Sequence, residues 1–294
     1  RQKARREALE GLKSGGIQLA VGTHALLSEG VEFNRLALVI TDEQHRFGVG
    51  QRTALAKKGG FPHTLVMSAT PIPRTLALMI YGDLDVSVLD ELPPGRQPIE
   101  TYLIDPAKRR RAFGYTKKPS DGGRQAYGVP PQIEKHNRRT KTLAAYAEIV
   151  RGYFGDLPIG ILHGRMKPKE KDAVMADFSA GRTKLLLSTT VVEVGVDVPN
   201  AVIMMIENAE RYGLSQLHQL RGRVGRGQHK STCILVTDAQ NPETIERLRM
   251  FCRTTDGFKV ADEDLRLRGP GDFFGERQHG LPKLKIADML NDMQ

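Results

Sequence analysis

Short apolar runs recur along this chain and alternate with stretches of helical periodicity. A continuous apolar run is typical of a strand buried on both faces, as in a parallel sheet covered by helices. The pattern therefore predicts an α/β fold with two parallel sheets in tandem. The predicted strands are Ile17–Val21, Leu36–Thr41, Thr64–Met67, Val86–Leu89, Ile159–Leu162, Lys184–Leu187, Ala201–Ile206 and Thr232–Val236. The predicted helices of the second half are Thr140–Tyr153, Lys167–Ser179, Leu214–Gly222 and Pro242–Cys252.

Proline-rich stretches separate these elements. Leu92–Pro98 contains three prolines, which stop a helix and favour an extended connector between the two halves. Lys117–Pro131 is also rich in proline and glycine and is predicted to be a second loop-like region. In open α/β sheets, ligands bind beyond the carboxyl ends of the strands. Because polar residues follow four of the predicted strands, we expect one functional edge in each sheet.

The net charge of +10 is unevenly distributed along the chain. Between Asp105 and Lys141, eleven Lys and Arg residues stand against three acids, so this segment supplies eight of the ten positive charges. Such a segment is typical of a solvated, mobile linker or of a surface that binds nucleic acid, and the sequence leaves both open.

The cysteine count and the hydropathy pattern exclude several classes of protein. Cys233 and Cys252 stand in no metal-ligand or disulfide pattern, which favours a reducing compartment without structural zinc. No apolar run approaches the ~18 residues of a transmembrane helix, so we expect no membrane partner. The chain starts with Arg-Gln-Lys-Ala-Arg-Arg, which reads as the middle of a helix and predicts a fragment of a longer protein.

The stretch from Gln219 to Arg226 places three arginines among glycines, at positions 221, 223 and 226. If the preceding helical periodicity continues, Arg223 and Arg226 lie one turn apart on the same face. Guanidinium groups stay charged and fork onto phosphate oxygens, so this arrangement favours a phosphate-rich ligand or a transferring phosphoryl group. The alternative is a solvated basic helix end, whose arginines complement the helix dipole.

Two carboxylates follow the predicted strand Leu36–Thr41. Asp42 is placed to hold a magnesium ion through its water shell. Glu43 beside it is placed to orient or deprotonate an attacking water, and His45 completes the pattern Asp-Glu-x-His. An ordinary acidic turn after a strand is the alternative.

Small hydroxyl residues follow two further predicted strands. Ser68 and Thr70 suit hydrogen bonds across a cleft or, alternatively, the capping of a following helix. Thr189 and Thr190 begin a third polar strand end, where hydroxyls and exposed amides suit the phosphate oxygens of a nucleic-acid backbone. In the same stretch Gly195 indicates a turn, and Asp197 is placed to accept a hydrogen bond from a ribose hydroxyl; both residues complete the pattern Glu-x-Gly-x-Asp.

In order and spacing, these signatures resemble the motifs of superfamily 2 helicases and, in detail, those of the RecG family of DNA helicases. The resemblance covers nearly the whole chain. The segments that carry it are Asp42–Gly48, Ser68–Thr75, Glu91–Ile99, Ile161–Met166, Thr189–Pro199, Glu207–Arg211 and Gln216–Gly227. It implies a motor of two tandem RecA-like parallel sheets, of the P-loop NTPase class, with ATP and Mg²⁺ as cofactors.

The resemblance also implies three sets of functional residues. The catalytic set is Asp42, Glu43, His45, Arg223 and Arg226, with Asp42 as the magnesium ligand and Arg226 as the arginine finger. The nucleotide-binding set adds Gly195, Asp197 and Gln219 to Asp42, Arg223 and Arg226. The set that contacts DNA or couples hydrolysis to movement is Thr23, His24, Ser68, Thr70, Arg165, Thr189 and Thr190.

The end of the chain resembles a translocation element that the RecG family shares with the transcription-repair coupling factor. In that element a helical hairpin and a following loop link the arginine motif to the movement of duplex DNA. The matching residues are Arg266, Arg268, Arg277 and Gln278. The implied domains are a partial ATP-binding lobe at 1–98, a basic linker and the start of the second lobe at 99–139, the helicase C-terminal lobe at 140–240, and the hairpin element at 241–294.

Two features depart from the family pattern. No G-x-x-x-x-G-K-[ST] motif occurs in the 294 residues, and nothing in them matches the family's N-terminal wedge domain. We therefore expect a truncated first lobe, and we expect this chain alone not to hydrolyse ATP. Prolines and basic residues between Tyr127 and Thr142 replace the usual strand and acidic stretch, which leaves the first strand of the second lobe unassigned.

The function implied by the resemblance is that of an ATP-dependent double-strand DNA translocase. Such a helicase remodels stalled replication forks and branch-migrates Holliday junctions in recombination and DNA repair. The implied partners are branched duplex DNA and single-strand-binding protein, and the implied state is a monomer in the bacterial cytoplasm, associated with the nucleoid. Two alternatives stay open: a translocase like the transcription-repair coupling factor, and a non-catalytic DNA-binding fragment, since the phosphate loop is absent.

Overall fold

The computed structural model describes residues 2–28, 30–42, 58, 62–68, 85–91, 93, 95–131, 139–189 and 197–268. The chain divides into two units, Arg1–Thr70 and Pro71–Gln294, and each is described by itself. No helix in these ranges is both long and apolar enough to cross a membrane.

The first unit contains helix α1 (Gln2–Ser14) and a parallel pair of strands, β1 (Leu38–Thr41) and β2 (His63–Val66). Its buried apolar side chains come from different elements, with Leu12 from α1 and Val39 from β1. The other apolar side chains of the two strands are largely exposed. The two strands are thus paired through their backbones, but their side chains form only a small core.

A six-stranded parallel sheet forms the centre of the second unit, in the order β3-β8-β7-β4-β6-β5. Its strands are β3 (Ile99–Ile104), β4 (Gln125–Val129), β5 (Ile159–Leu162), β6 (Leu185–Ser188), β7 (Ala201–Ile206) and β8 (Ser231–Val236). Every residue of β4, β6, β7 and β8 is buried. Burial on both faces requires a helical layer on each side of the sheet.

Helices supply both layers. Helices α2 (Arg109–Asp121) and α3 (Arg139–Phe154) pack on one face. Helices α4 (Pro168–Ser179), α5 (Leu214–Arg221), α6 (Pro242–Arg253) and α7 (Gly257–Arg268) pack on the other. The segment Thr254–Asp256 joins α6 to α7, and both helices lie in the region of the predicted hairpin. The α/β fold class with a parallel sheet is therefore confirmed, and the hairpin stays a prediction.

Most of the predicted elements are confirmed within about two residues, but two predicted strands are wrong. Ile17–Val21 and Val86–Leu89 have no regular secondary structure. Their side chains are mostly exposed, up to 92% for Leu89. An apolar run predicts a strand only where neighbouring strands and covering helices bury it, and composition alone does not report those neighbours.

The predicted loop at Lys117–Pro131 is also wrong, because this stretch holds the end of α2 and the central strand β4. Pro119 lies in the last turn of α2, and Gly122 and Gly123 form the turn that leads into β4. Gly123 has φ +88, a left-handed conformation that favours glycine. Residues 99–131 therefore contain β3, α2 and β4. The alternative of a mobile linker is wrong for this part of the basic segment.

Candidate functional site

In the first unit, two predicted site residues lie at the same edge of the sheet. Asp42 directly follows β1, and Ser68 lies two residues beyond β2. The amide of Met67 donates to the carbonyl oxygen of Thr41 at 2.8 Å, so parallel pairing brings both polar residues to the carboxyl edge. Both are exposed, as expected for ligand contacts. Glu43, His45 and Thr70 lie outside the described residues.

The magnesium assignment depends on Asp42. Mg²⁺ in nucleotide sites takes one or two carboxylates and fills its other positions with water and phosphate oxygens. An exposed aspartate at the carboxyl end of a strand fits that requirement. Within the described ranges, no group of three or more His, Cys, Asp or Glu side chains is placed to hold a metal by itself. Asp42 therefore remains a predicted ligand that would act together with nucleotide phosphates.

Thr23 and His24 lie in the first unit at the start of a short 3-10 turn, His24–Leu27. The amide of Leu26 donates to the carbonyl oxygen of Thr23 at 3.0 Å, and the Thr23 side chain is exposed and makes no capping hydrogen bond. The side chain of His24 is not among those described. Their contact with DNA stays a prediction.

At the carboxyl edge of the second sheet, polar residues follow two neighbouring strands. Thr189 directly follows β6, and its amide donates to the carbonyl oxygen of Leu162, the last residue of β5, at 3.2 Å. Arg165 follows β5 and is exposed, as is Thr189. The buried Nδ1 of His163 has no hydrogen-bond partner among the described residues. The expected shared edge is confirmed for these strand ends, while Thr190 lies outside the described residues.

The arginine stretch does not form the helical face that its spacing predicted. Helix α5 ends at Arg221, and the amides of Arg223 and Val224 donate to carbonyl oxygens three residues back, at 3.1 and 3.2 Å. Gly225 then adopts φ +75, which stops any helix. The residues 222–226, which we call the arginine turn, therefore present Arg223 and Arg226 from a tight turn.

The arginine turn lies at the amino edge of the sheet. A Cβ atom on Gly225 would come within 2.8 Å of Ile99, the first residue of β3, so the turn packs closely against the start of that strand. Asp197 lies four residues before β7, at the same edge. Its Oδ1 is 3.4 Å from Nη1 of Arg226. The predicted site residues of the second sheet thus lie at two edges, because Asp197 and Arg226 lie opposite Thr189.

The environment of Arg226 leaves part of its guanidinium available. The side chain is 34% exposed, and its Nε donates to the carbonyl oxygen of Gly222 at 3.1 Å. Tyr127 of β4 lies nearby in the core, and burial raises its pKa to about 12. The positive charges of Arg223 and Arg226 act in the opposite direction on this pKa, and the negative charge of Asp197 raises it. The turn therefore concentrates positive charge beside a half-exposed carboxylate.

Arg221, the third arginine of the motif, has a structural role. It is 2% exposed, and its Nη1 donates to the carbonyl oxygens of Phe251 and Thr254 at 3.1 and 2.7 Å. Its guanidinium carbon lies 4.1 Å from the centre of the Phe251 ring, a cation–π contact. Its Nη2 is 3.0 Å from Nδ1 of His218. Arg221 thus fastens the end of α5 to the end of α6.

The start of α5 is held by α7. Asp264 is buried, and its carboxylate accepts hydrogen bonds from the amides of Leu214 and Ser215 at 3.3 and 3.4 Å and from the Ser215 hydroxyl at 2.9 Å. A carboxylate at a helix N-terminus satisfies free amides and complements the helix dipole. Because α6 and α7 hold opposite ends of α5, they fix the position of the arginine turn.

The remaining predicted residues are only partly placed. Gln219 lies half-buried in α5, and Arg266 lies exposed on α7, where it pairs with Glu263. The side chain of Arg268 and the residues Gly195, Arg277 and Gln278 lie outside the described part of the chain. No role is assigned to them beyond the prediction.

Sequence reasoning missed a buried polar cluster at the carboxyl end of β7. Arg109 of α2 donates from Nε and Nη2 to the two carboxylate oxygens of Glu207 at 2.8 and 2.9 Å. The Tyr146 hydroxyl of α3 donates to Glu207 Oε1 at 3.0 Å, and burial raises the pKa of Tyr146 well above its ordinary value. A glutamate directly after the apolar run Ala201–Ile206 was the available signal, but its partners are about 60 and 100 residues away in sequence.

This parallel α/β sheet is of the kind found in helicase C-terminal domains, and residues 134–228 match the family model "Helicase conserved C-terminal domain". Residues 254–294 match the model "ATP-dependent DNA helicase RecG, domain 3, C-terminal". The chain belongs to the RecG family of ATP-dependent DNA helicases.

The relatives that support this assignment are longer than the chain. The chain is 51% identical over 292 residues to ATP-dependent DNA helicase RecG of Bacillus subtilis (strain 168). The matched region covers 99% of the chain and 43% of the relative. The chain is 50% identical over 286 residues to RecG of Thermotoga maritima, covering 97% of the chain and 37% of the relative. A solved structure of RecG bound to a three-way DNA junction matches 99% of the chain and 37% of its own length, with 46% identity and a TM-score of 0.76. The chain thus spans about two fifths of these relatives.

Proposed function

We propose that this chain is the larger part of the motor of an ATP-dependent double-strand DNA translocase of RecG type. The observation that carries the proposal is the half-exposed Arg226, held in a turn that α6 and α7 fix in place. A guanidinium in such a position suits the charge that develops on a transferring phosphoryl group. The match of residues 254–294 to a RecG model favours this class over a translocase like the transcription-repair coupling factor.

The proposed nucleotide chemistry divides between two sets of residues. Asp42 would hold Mg²⁺, which neutralises negative charge on phosphate oxygens when it is bound. Arg226 would exchange its long, exposed contact with Asp197 for a phosphate. An exposed ion pair contributes little, whereas a forked arginine–phosphate contact is short and charge-assisted, so this exchange is favourable. Arg223 would add a second positive charge, and Gln219 and Gly195 would complete the nucleotide contacts.

The proposed coupling to DNA uses the rigidity of the second sheet. Thr189 and Arg165 lie at the carboxyl edge, where they would contact the DNA backbone together with Thr190, whereas Arg226 lies at the amino edge. A sheet covered by helices on both faces moves as one body, so a displacement of the arginine turn would also displace the DNA contacts. Ser68 and Thr70 would couple hydrolysis to this movement, and Thr23 and His24 would contact DNA in the first unit.

The proposed substrate is branched duplex DNA, such as stalled forks and Holliday junctions. This extension is supported by the relative that was solved on a three-way DNA junction. Arg266, Arg268, Arg277 and Gln278 would link the hairpin to the duplex. We further propose a monomer that acts in recombination and repair at the bacterial nucleoid, with single-strand-binding protein as a partner.

Replacing the finger residue tests the proposal. Arg226→Ala, in a protein long enough to carry a phosphate-binding loop, is expected to lower DNA-stimulated ATP hydrolysis ~10³-fold or more, the range known for arginine fingers. Its affinity for a three-way junction should change less than twofold. Arg182→Ala is the matched control, because Arg182 is also exposed and paired with an aspartate, Asp177. Intact hydrolysis together with lost junction affinity would contradict the assignment.

A second experiment uses the 294-residue chain alone and separates a motor part from a non-catalytic DNA-binding module. We expect no DNA-stimulated hydrolysis, because the chain has no phosphate-loop motif. Binding to junction DNA should weaken steeply with salt, since phosphate contacts release counterions. Measurable turnover would refute the first expectation, and salt-independent binding would argue against every DNA role.

A further inference from the structure

The helix α2 exposes a basic face that none of the helicase motifs includes. Its buried side is formed by Ala112, Phe113, Thr116 and Ser120. On the opposite side Arg111, Tyr115 and Lys118 follow one another at spacings of four and three residues, which aligns them in one stripe along the helix. Arg110 flanks this stripe, and all four residues are exposed.

The positive charges of this stripe have no ion-pair partner among the residues that the structure describes. Three other basic residues near it are paired: Lys108 with Asp105, Arg109 with Glu207, and Lys117 with Asp121. By contrast, Arg110, Arg111 and Lys118 form no ion pair with any residue of the described ranges. The unpaired cations thus lie together on the outer side of the helix.

Local helix stability does not account for this arrangement. Arg109, Arg110 and Arg111 occupy the first turn of α2, which contains no acidic residue. Cations near a helix N-terminus oppose the helix dipole, so each of these exposed charges destabilises the helix slightly. Among the described residues Arg109 offsets this effect through its bond to Glu207, whereas Arg110 and Arg111 form no ion pair there. An external polyanion would offset it for Arg110 and Arg111.

Two tyrosines extend the surface onto the edge of the sheet. Tyr115 of α2 and Tyr102 of the edge strand β3 are each 50% exposed. The Tyr115 hydroxyl is 3.2 Å from Oγ1 of Thr232, and the Tyr102 hydroxyl donates to Glu100 at 2.8 Å, so both rings are anchored. Arg, Lys and Tyr are among the side chains that contact the phosphate and sugar groups of DNA. The carboxylate of Glu100, next to Tyr102, marks the limit of the basic surface at strand β3.

We infer that this surface, formed by Arg110, Arg111, Tyr115, Lys118 and Tyr102 and here called the α2 surface, binds the phosphate backbone of a duplex DNA arm. Arg111 and Lys118 are separated by seven residues, or roughly 10 Å along the helix, so the two cations can contact different phosphates of one DNA strand. Duplex DNA is favoured over an acidic protein because the chain belongs to a DNA helicase family. The inference rests on the proposed function and adds a contact distinct from the strand ends at Thr189.

The position of the α2 surface makes it suitable for a second arm. The predicted DNA contacts Thr189 and Arg165 lie at the carboxyl edge of the sheet. Helix α2 instead lies on one face, alongside the edge strand β3. A branched substrate has several duplex arms, so one protein contacts it through more than one surface. The α2 surface should therefore contribute more on a junction than on a short linear duplex.

The test is a triple substitution, Arg110→Gln, Arg111→Gln and Lys118→Gln, in a protein that also carries a phosphate-binding loop. We expect its affinity for a three-way junction to fall about tenfold and its salt slope to shrink by ~0.9 for each phosphate that the protein no longer neutralises. The matched control is Lys13→Gln, Arg151→Gln and Arg182→Gln, which removes the same charge from residues already paired with acids. The control should keep both the affinity and the slope within about twofold, because its cations are already neutralised.

Three further outcomes decide between explanations. The double variant Arg110→Lys, Arg111→Lys retains the charges and should preserve the salt slope, whereas loss of the slope there would point to misfolding and overturn the inference. Equal junction affinities of the triple variant and its control would also overturn the inference. So would a triple variant that no longer binds poly-glutamate but binds DNA as before, because the α2 surface would then recognise an acidic protein. If the unsubstituted protein binds no junction, the proposed function fails together with the inference. If the unsubstituted protein binds the junction and hydrolyses ATP, the comparison of the triple variant with its control tests the α2 surface alone.

Discussion

The two units build parallel strands from similar residues but bury them very differently. Strand β1 reads Leu-Val-Ile-Thr, and Leu38 and Ile40 are more than half exposed. Strand β6 reads Leu-Leu-Leu-Ser, and all four residues are buried, with Leu186 at 0%. The difference is the layer around each strand, because β6 has a strand on either side and helices on both faces, whereas β1 pairs with β2.

This contrast indicates which unit contributes more to the stability of the chain. Burial of apolar area contributes about 25 cal/mol per Å², so the free energy of folding should come mainly from the second unit. That unit also holds the polar groups that are satisfied inside the core, such as Arg221 and Glu207. Matched substitutions in the two units measure how large the difference is.

The largest difference is expected for a leucine in each sheet. Leu186→Ala removes a fully buried side chain from the six-stranded sheet and should lower the free energy of unfolding by about 3–4 kcal/mol. Leu38→Ala removes a side chain that is 55% exposed and should cost less than about 1 kcal/mol. All seven tyrosines belong to the second unit, so tyrosine fluorescence during denaturant unfolding reports on Leu186→Ala.

Hydrogen exchange of the β1 and β2 amides measures Leu38→Ala in the first unit. Equal losses for the two variants would contradict the contrast, because they would show that the exposed strand is as strongly packed as the buried one.

A smaller difference is expected between two ion pairs. Glu207 accepts hydrogen bonds from Arg109 and Tyr146 in the second unit, and removing its charge leaves a partly buried guanidinium unpaired. Glu207→Gln should therefore cost about 2–3 kcal/mol. Glu32 in the first unit lies 2.7 Å from Lys13, but both side chains are more than 60% exposed. Glu32→Gln should not change unfolding measurably, since water screens exposed pairs.

Urea titrations at pH 7 measure both substitutions, again with tyrosine fluorescence for the second unit and hydrogen exchange for the first. High salt serves as a control, because it should leave the effect of Glu207→Gln nearly unchanged. A measurable cost for Glu32→Gln would show that its pair with Lys13 is shielded from solvent.

The sequence predicted the strands that are continuous apolar runs and missed those that depend on their neighbours. Strand β7 is fully apolar and was predicted residue for residue, because any sheet that contains Ala201–Ile206 has to bury it. Strand β3 alternates in burial and lies at the sheet edge, and β4 contains Gly128 and Gln125, so neither carried the signal of a buried run.

The candidate site was predictable only as a set of residue types. Spacing predicts Arg223 and Arg226 on a helical face, whereas α5 ends at Arg221 and the following turn, with Gly225 at φ +75, places them at the amino edge. The buried contacts of Arg221 with Thr254 and of Asp264 with Ser215 join residues about 30 and 50 positions apart. Such partners follow from the packing of α5 against α6 and α7, which the local sequence does not specify.

The smallest effect concerns His218, which accepts a hydrogen bond from Arg221 beneath the arginine turn. Burial, and then the charge of Arg221, lowers the pKa of His218 from 6.5 to about 4. The unfolded chain therefore binds a proton near pH 6.5 that the folded chain does not bind until about pH 4, so stability is complete above pH 6.5 and falls as the pH drops towards 4. The shift corresponds to at most ~3.4 kcal/mol, and solvent screening of this partly exposed ring should reduce the loss to about 2 kcal/mol. His218→Gln keeps an acceptor for Arg221 but does not titrate, and it should flatten this pH dependence in denaturant titrations between pH 7 and 4. An unchanged slope would show that other groups cause the acid sensitivity of the second unit, and that His218 is already solvated in the folded state.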